Sequence, residues 1–259
     1  MLDLHIEQVG ENNNKSLIFL HGFMGCSQDF IELAQELKDE FNCFLVDLPG
    51  HGKSQDKIDQ FENLSDFLIK LNNWCKTLPS PHLFGYSMGG RLAFGLSTFD
   101  YSPFIKIVIE SADPGIQDTK LKEKRLAYDR QLFSRVTDQE NFKRFLDEWY
   151  KQPLFHNFNQ LDSYNDIIKK KIENQDYKIL QKAINLLSVG NQDNYWPQLK
   201  SPKFASLYIS GEHDKKYCEI ADKLSLIGWS TAKIKNGGHN THRTNQSEFK
   251  EIFKKFISS

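Results

Sequence analysis

The chain is short of several things, and each shortage narrows the field. It has only four cysteines in 259 residues, Cys26, Cys43, Cys75 and Cys218, scattered with no Cys-x-x-Cys pair. That argues against a disulfide framework or a zinc site and for a reducing, cytoplasmic setting. Cys43 lies in an apolar run and reads as a small buried hydrophobe. No apolar stretch approaches the ~18 uninterrupted residues of a membrane span. The start, Met1-Leu2-Asp3-Leu4-His5, lacks the basic region and apolar run of a signal peptide, so no membrane insertion is expected. Neither charge dominates: 33 Lys+Arg stand against 34 Asp+Glu, for a formal net charge of −1. There is thus no electrostatic case for nucleic acid or an anionic membrane as a partner. Internal repeats and low-complexity tracts are also missing, and nothing in the pattern speaks to oligomeric state.

What is present is enough apolar and aromatic material, 39% and 13%, to build a sizeable core. The length suits one α/β domain with an insertion, or two small domains. Leu17-Ile18-Phe19-Leu20 is a short apolar run ending in His21-Gly22, as expected of a strand buried on both faces. Residues 27–39 carry Phe30, Ile31, Leu33, Ala34 and Leu37 at helical spacing behind a candidate Ser27 cap. Phe41 to Val46 reads as a second buried strand. Phe61 to Leu78 reads as a helix with Leu64, Phe67, Leu68, Leu71 and Trp74 on one face, ended by Pro79 and Pro81. His82-Leu83-Phe84 leads into a glycine-rich turn, a helix follows over Arg91 to Phe99, and Phe104 to Glu110 is another strand. This alternation predicts a parallel sheet with right-handed crossovers.

From about Pro114 to Trp196 the strand pattern stops. Asn141 to Tyr150 and Ile179 to Leu187 have helical apolar spacing in a heavily charged stretch. Strands return at Ala205 to Ile209 and Thr231 to Ile234, and an amphipathic helix, Glu248 to Ile257, closes the chain. The expected organisation is a core of residues 1–113 and 197–259 interrupted by a helical cap over 114–196. In open α/β sheets, ligands bind outside the carboxyl ends of the strands, and every chemical motif here follows an expected strand.

Gly85-Tyr86-Ser87-Met88-Gly89 fits G-x-S-x-G, with Gly90 next. A sharp turn between strand and helix strains the serine backbone and demands neighbours without side chains. It also exposes the hydroxyl near a helix N-terminus, where backbone N–H groups favour negative charge. An isolated five-residue match is often an ordinary glycine turn; the strand before and the helix after set this one apart. A serine hydroxyl needs an adjacent imidazole. His239, in Gly237-Gly238-His239-Asn240 after the last strand, is the best candidate, with His242 a weaker rival. His5, His82, His156 and His213 read as surface or core residues. Asp214, in Gly211-Glu212-His213-Asp214, would fix the imidazole tautomer, with Glu212 as the fallback acid. The order Ser87, Asp214, His239 is that of α/β-hydrolases. Backbone N–H groups of Met88 and of Phe23, in the loop after the first buried strand, are the expected oxyanion hole. Asp47-Leu48-Pro49-Gly50-His51-Gly52-Lys53-Ser54 reads as a structural turn and not as a phosphate-binding fingerprint. Arg91 lies one helical turn past Ser87, where a guanidinium fork would pair with a carboxylate.

The sequence resembles the 2-succinyl-6-hydroxy-2,4-cyclohexadiene-1-carboxylate synthase family of the α/β-hydrolase fold. The matching segments span nearly the whole chain. They are Leu20 to Gly25, Gly85 to Arg91, Glu110 to Gly115, Trp149 to Phe155, Gly211 to Tyr217 and Gly238 to Arg243. Ser-Met-Gly-Gly-Arg, Trp-Tyr-x-Gln-Pro and Gly-His-Asn-x-His are the most specific of them. The resemblance implies a small-molecule polycarboxylate substrate, elimination of pyruvate in menaquinone or phylloquinone biosynthesis, and no metal or other cofactor. It implies Tyr86, Arg91, Arg125 and Trp149 as substrate-binding residues; for Trp149, core packing is an equal reading. The family's third cap arginine falls near Lys169-Lys170-Lys171, where only lysines stand, so that position is left unassigned. The competing enzyme reading is a serine esterase, thioesterase or carbon–carbon bond hydrolase acting through an acyl-enzyme. A non-catalytic binding protein on the same fold would be expected to show a damaged triad.

Overall fold

In the computed structural model, residues 2–200 and 203–259 are described. A seven-stranded sheet runs in the order β1-β3-β2-β4-β5-β6-β7. Its strands are β1 (Ile6–Val9), β2 (Ser16–Leu20), β3 (Asn42–Val46), β4 (Pro81–Tyr86), β5 (Lys106–Glu110), β6 (Ala205–Gly211) and β7 (Ser230–Ile234). All pairs are parallel except β1 with β3. The antiparallel edge strand β1 was not anticipated. It is four residues long and mostly half-exposed, so it carries no continuous apolar run.

The central strands are apolar because both faces are covered. One core layer packs Leu68, Leu71, Leu92 and Phe94 against Ile18, Leu83 and Ile107. The other packs Phe30, Leu33, Phe249 and Phe253 against Phe19, Phe84 and Val108. The chain goes from β2 outward to β3, then returns to place β4 on the other side of β2. The loops after β2 and β4 therefore diverge and open a crevice at the carboxyl ends of the strands.

The helices are α1 (Ile31–Gln35), α2 (Leu64–Cys75), α3 (Met88–Ser97), α4 (Thr119–Arg130), α5 (Gln139–Tyr150), α6 (Tyr164–Asn174), α7 (Tyr177–Leu187), α8 (Lys215–Ser225), α9 (Thr241–Thr244) and α10 (Gln246–Ser258). The helix expected over 27–39 is broken. A 3₁₀ turn, Ser27–Phe30, precedes α1, and Ser27 does not cap it. The Ser27 N–H instead donates to Asp47 at 2.6 Å, and Asp29 accepts the Cys26 N–H at 3.2 Å. The apolar positions Phe30, Leu33, Ala34 and Leu37 are buried all the same. α2 begins at Leu64 under an Asn63 cap, later than expected, and α3 begins at Met88, three residues earlier.

Between β5 and β6 lie α4 to α7. α5 and α7 bury the faces read from their spacing: Phe142 and Leu146, and Leu180, Ala183, Ile184 and Leu187. α4 buries only Asp129 and α6 only Ile168, so neither advertises itself by apolar periodicity. These helices share a core of their own, joined to the sheet domain through Met24 and Phe23. No helix among the described residues is long and apolar enough to cross a membrane.

Candidate active site

Ser87 sits between β4 and α3 with φ 49° and ψ −107°, a conformation that side-chain-bearing residues rarely adopt. Its N–H donates to the Glu110 carbonyl at the end of β5, at 2.8 Å. The flanking glycines are required by close approach. A Cβ on Gly89 would stand 2.0 Å from the Leu20 carbonyl oxygen, and one on Gly85 would stand 2.5 Å from the Gly89 carbonyl oxygen. Without a Cβ at Gly89, the start of α3 can lie directly on the end of β2.

Ser87 Oγ is 2.9 Å from His239 Nε2, and His239 Nδ1 is 2.7 Å from Asp214 Oδ2. With Asp214 ionised, Nδ1–H donates to the carboxylate, leaving Nε2 to accept the serine proton. Both side chains are almost wholly buried. The loops after β6 and β7 meet closely: a Cβ on Gly211 would lie 2.1 Å from the Gly238 carbonyl oxygen, and His213 N–H donates to Gly237 at 2.9 Å. From the inserted segment, Leu154 accepts the backbone N–H of His239 at 2.8 Å. Glu212, the fallback acid, is exposed and accepts the Asn236 N–H instead. His242 has a carboxylate of its own: Nδ1 lies 2.8 Å from Glu110 Oε2. Glu110 is fully buried and also accepts from the Thr241 hydroxyl at 2.7 Å. It thus joins the elbow, through its carbonyl, to the segment after His239, through its side chain.

The loop after β2 supplies Gly22 and Phe23. Gly22 lies against the Tyr86 ring, where a Cβ would come within 2.6 Å, and the Gly89 N–H donates to the His21 carbonyl at 3.0 Å. His21 is neutral in role: burial pulls its pKa below the usual value, Nδ1–H donates to Gly22, and Nε2 accepts the Leu48 N–H at 3.0 Å. Asp47 accepts the Ser27 and Lys53 N–H groups, so its loop has structural work.

Ser87, His239, Phe23, Met88, Tyr86, Arg91, Arg125 and Trp149 all line one cavity of about 240 Å³. A larger open groove of about 930 Å³ beside α2 and α7 holds none of them. Arg91 reaches across to the inserted helices: Nη2 donates to the Leu187 carbonyl at 2.7 Å and Nη1 to Gln192 at 3.1 Å. Among the described residues no carboxylate makes an ion pair with it. Burial, and then the neighbouring Arg125, pull its pKa down to about 10, so it stays charged. Arg125 is held by Asp129 at 2.8 Å, and Ser188 donates to the other oxygen of that carboxylate at 2.6 Å. Trp149 meets Phe23 edge-on at 6.0 Å and stacks on Phe145 at 5.8 Å, so it both packs and lines the cavity.

Of the three lysines near the unassigned cap position, only Lys171 lines the cavity. Its Nζ donates to the Met24 carbonyl at 2.6 Å. Burial opposes its charge, but Tyr150 and Asp29 outweigh that and leave its pKa raised. Lys169 is exposed beside Glu173. The roles of Asp129, Glu110 and Tyr217, whose ring lies 4.7 Å from that of His239, were not read from the sequence, because they depend on contacts distant in the chain.

The α/β-hydrolase fold model matches residues 15–223. A 2-succinyl-6-hydroxy-2,4-cyclohexadiene-1-carboxylate synthase from Escherichia coli O17:K52:H18 is 32% identical over 235 residues, 88% of each chain. The protein of that name from Photorhabdus laumondii is 29% identical over 255 residues, covering 96% of this chain and 87% of its own. The solved structure of MenH from S. aureus superposes with a TM-score of 0.88 at 29% identity, covering 100% of this chain and 98% of that one.

Proposed function

Since the chain belongs to the 2-succinyl-6-hydroxy-2,4-cyclohexadiene-1-carboxylate synthase family of α/β-hydrolases, we propose that it is the lyase of menaquinone biosynthesis that its relatives are named for. It eliminates pyruvate from 2-succinyl-5-enolpyruvyl-6-hydroxy-3-cyclohexene-1-carboxylate. The observation that carries the reading is Arg91: a guanidinium without a carboxylate, in the same small cavity as the Ser87–His239–Asp214 chain. A neutral ester gives such a cation nothing to pair with, and a polycarboxylate does.

In this scheme His239, oriented by Asp214, takes the Ser87 proton. Ser87 Oγ takes the proton from the ring carbon that bears the succinyl group. The electron pair moves into the ring, the existing double bond shifts, and the bond to the enolpyruvyl oxygen breaks. The enolpyruvate takes up a proton and leaves as pyruvate. Charge that builds on the succinyl ketone oxygen is met by the Phe23 and Met88 N–H groups. No water is consumed, and the triad works as a base. Arg91, Arg125 and Lys171 offer positive charge to the carboxylates, while Tyr86 and Trp149 shape the wall. Residues 114–196 act as a cap over the site. The four unpaired cysteines support a cytoplasmic setting.

The test is pyruvate release by Ser87→Ala. Abolition is expected, and full activity would sink the scheme. Running a nitrophenyl ester in parallel separates elimination from hydrolysis: a chain that cleaves the ester and releases no pyruvate is an esterase.

A further inference from the structure

Next to His239, Asn240 is 4% exposed and lies on the cavity wall, yet its Oδ1 has no hydrogen-bond partner. A buried amide oxygen left unpaired is costly, so its persistence beside the reactive histidine calls for a ligand group. Lys171 and Arg243 line the same cavity. Among the described residues, the only carboxylate in ion-pair contact with either is Asp29, 3.1 Å from Arg243 Nη2. Burial opposes the charge on Asp29, but Lys171 and Arg243 overcome it and hold its carboxyl down at about 2. Two cations thus face one anion, and the group keeps a net positive charge. Its charged neighbours differ from those of Arg91, which are Arg125, Asp129 and Asp113.

We propose that Asn240, Lys171 and Arg243 form a hydroxy-acid end of the cavity, which takes a carboxylate together with a hydroxyl on the neighbouring carbon. The cations meet the carboxylate and the Asn240 amide meets the hydroxyl. A hydroxyl both donates and accepts, so the pairing holds for either rotation of the amide. This rests on the function proposed above and orients its substrate. Of the three carboxylates there, only the one on the ring has a hydroxyl on the adjacent carbon. The ring carboxylate therefore faces Lys171 and Arg243, and the carboxylates of the two side arms are left to Arg91 and Arg125.

The test is titration calorimetry on the whole chain with two simple probes, cyclohexanecarboxylate and 2-hydroxycyclohexane-1-carboxylate. The hydroxy acid should bind about fivefold more tightly, as one net hydrogen bond provides. Asn240→Ala should erase that preference while leaving the parent acid bound, which also reports that the variant is folded. Arg243→Gln should weaken both acids about tenfold and keep the preference. In the pyruvate assay, Asn240→Ala should raise KM more than it lowers kcat. Equal binding of the two acids by the wild type overturns the proposal, as does a preference that survives Asn240→Ala. If Asn240→Ala binds neither acid, the wild-type preference decides. A chain that releases pyruvate but ignores the hydroxyl refutes this proposal alone. One that prefers the hydroxy acid and releases no pyruvate refutes the lyase reading alone.

Discussion

Replacing Arg91 with Met should separate stability from function. The guanidinium is half-buried at the cavity wall and donates to Leu187 O and Gln192 Oε1. Its pKa lies at about 10 against 12.5 in a free side chain, first because of burial and then because of Arg125. A base whose folded pKa is below its unfolded one costs stability wherever it is charged, so the full cost is present at neutral pH and fades only as pH rises past about 10. The gap corresponds to about 3 kcal/mol, and partial exposure reduces that to about 2 kcal/mol. Met keeps most of the stem and removes the charge, but it loses two hydrogen bonds worth about 1 kcal/mol each. The two effects nearly cancel, so the stability of the free protein should change by less than about 1 kcal/mol, a few degrees in Tm at most. Function should not be spared. Losing a charge-assisted carboxylate pair costs about 3 kcal/mol, or roughly a hundredfold or more in kcat/KM. Urea unfolding and a coupled assay for pyruvate measure the two quantities. A variant within about threefold of wild-type kcat/KM (~0.6 kcal/mol) would refute the reasoning. So would one destabilised by more than about 3 kcal/mol, because Arg91 would then be a clamp between α3 and the end of α7.

Three further outcomes follow from contacts described above. Gly89→Ala puts a Cβ on the Leu20 carbonyl, a backbone atom that cannot step aside, and should cost about 3 kcal/mol or more; a calorimetric Tm within about a degree of wild type would contradict this. Glu110→Gln keeps an acceptor for Thr241 but loses the charge that His242 donates to, so it should cost about 1–3 kcal/mol in urea unfolding; no change would mean the pairing is idle. Asp29 has its carboxyl at about 2 against 3.8 in a free side chain, and this depression adds about 2 kcal/mol of stability above pH ~4. That stability is lost as pH falls through about 2, and Asp29→Asn should flatten this acid limb of the stability profile.

The strands β2 to β6 were legible because both of their faces are covered, which forces continuous apolar runs. The elbow and the order Ser87, Asp214, His239 were legible because a strained turn and a tautomer-fixing acid each demand particular residue types. The edge strand β1 was hidden, since one neighbour and partial exposure ask little of its side chains. α4 and α6 were hidden for a related reason: each buries a single residue, one of them an aspartate, so neither has an apolar stripe. The roles of Asp129 and Glu110 were out of reach because each meets a segment far away in the chain, and that of Asn240 because an amide left without a partner shows only in the folded chain. His242 was read as a rival to His239 because spacing alone cannot tell which carboxylate a histidine will meet.

The hydrogen bond from the His239 N–H to Leu154 has a consequence for anyone who would re-engineer the chain. The inserted segment is not an accessory that can be trimmed from a finished catalyst. Deleting it, or exchanging it for a relative's, leaves a buried amide of the reactive histidine loop without its acceptor, at a cost of about 1–3 kcal/mol. A transplanted segment must therefore bring a carbonyl to that one point in space. What looks like a separable module shares a joint with the His239 loop, and the joint fixes which segments can be grafted.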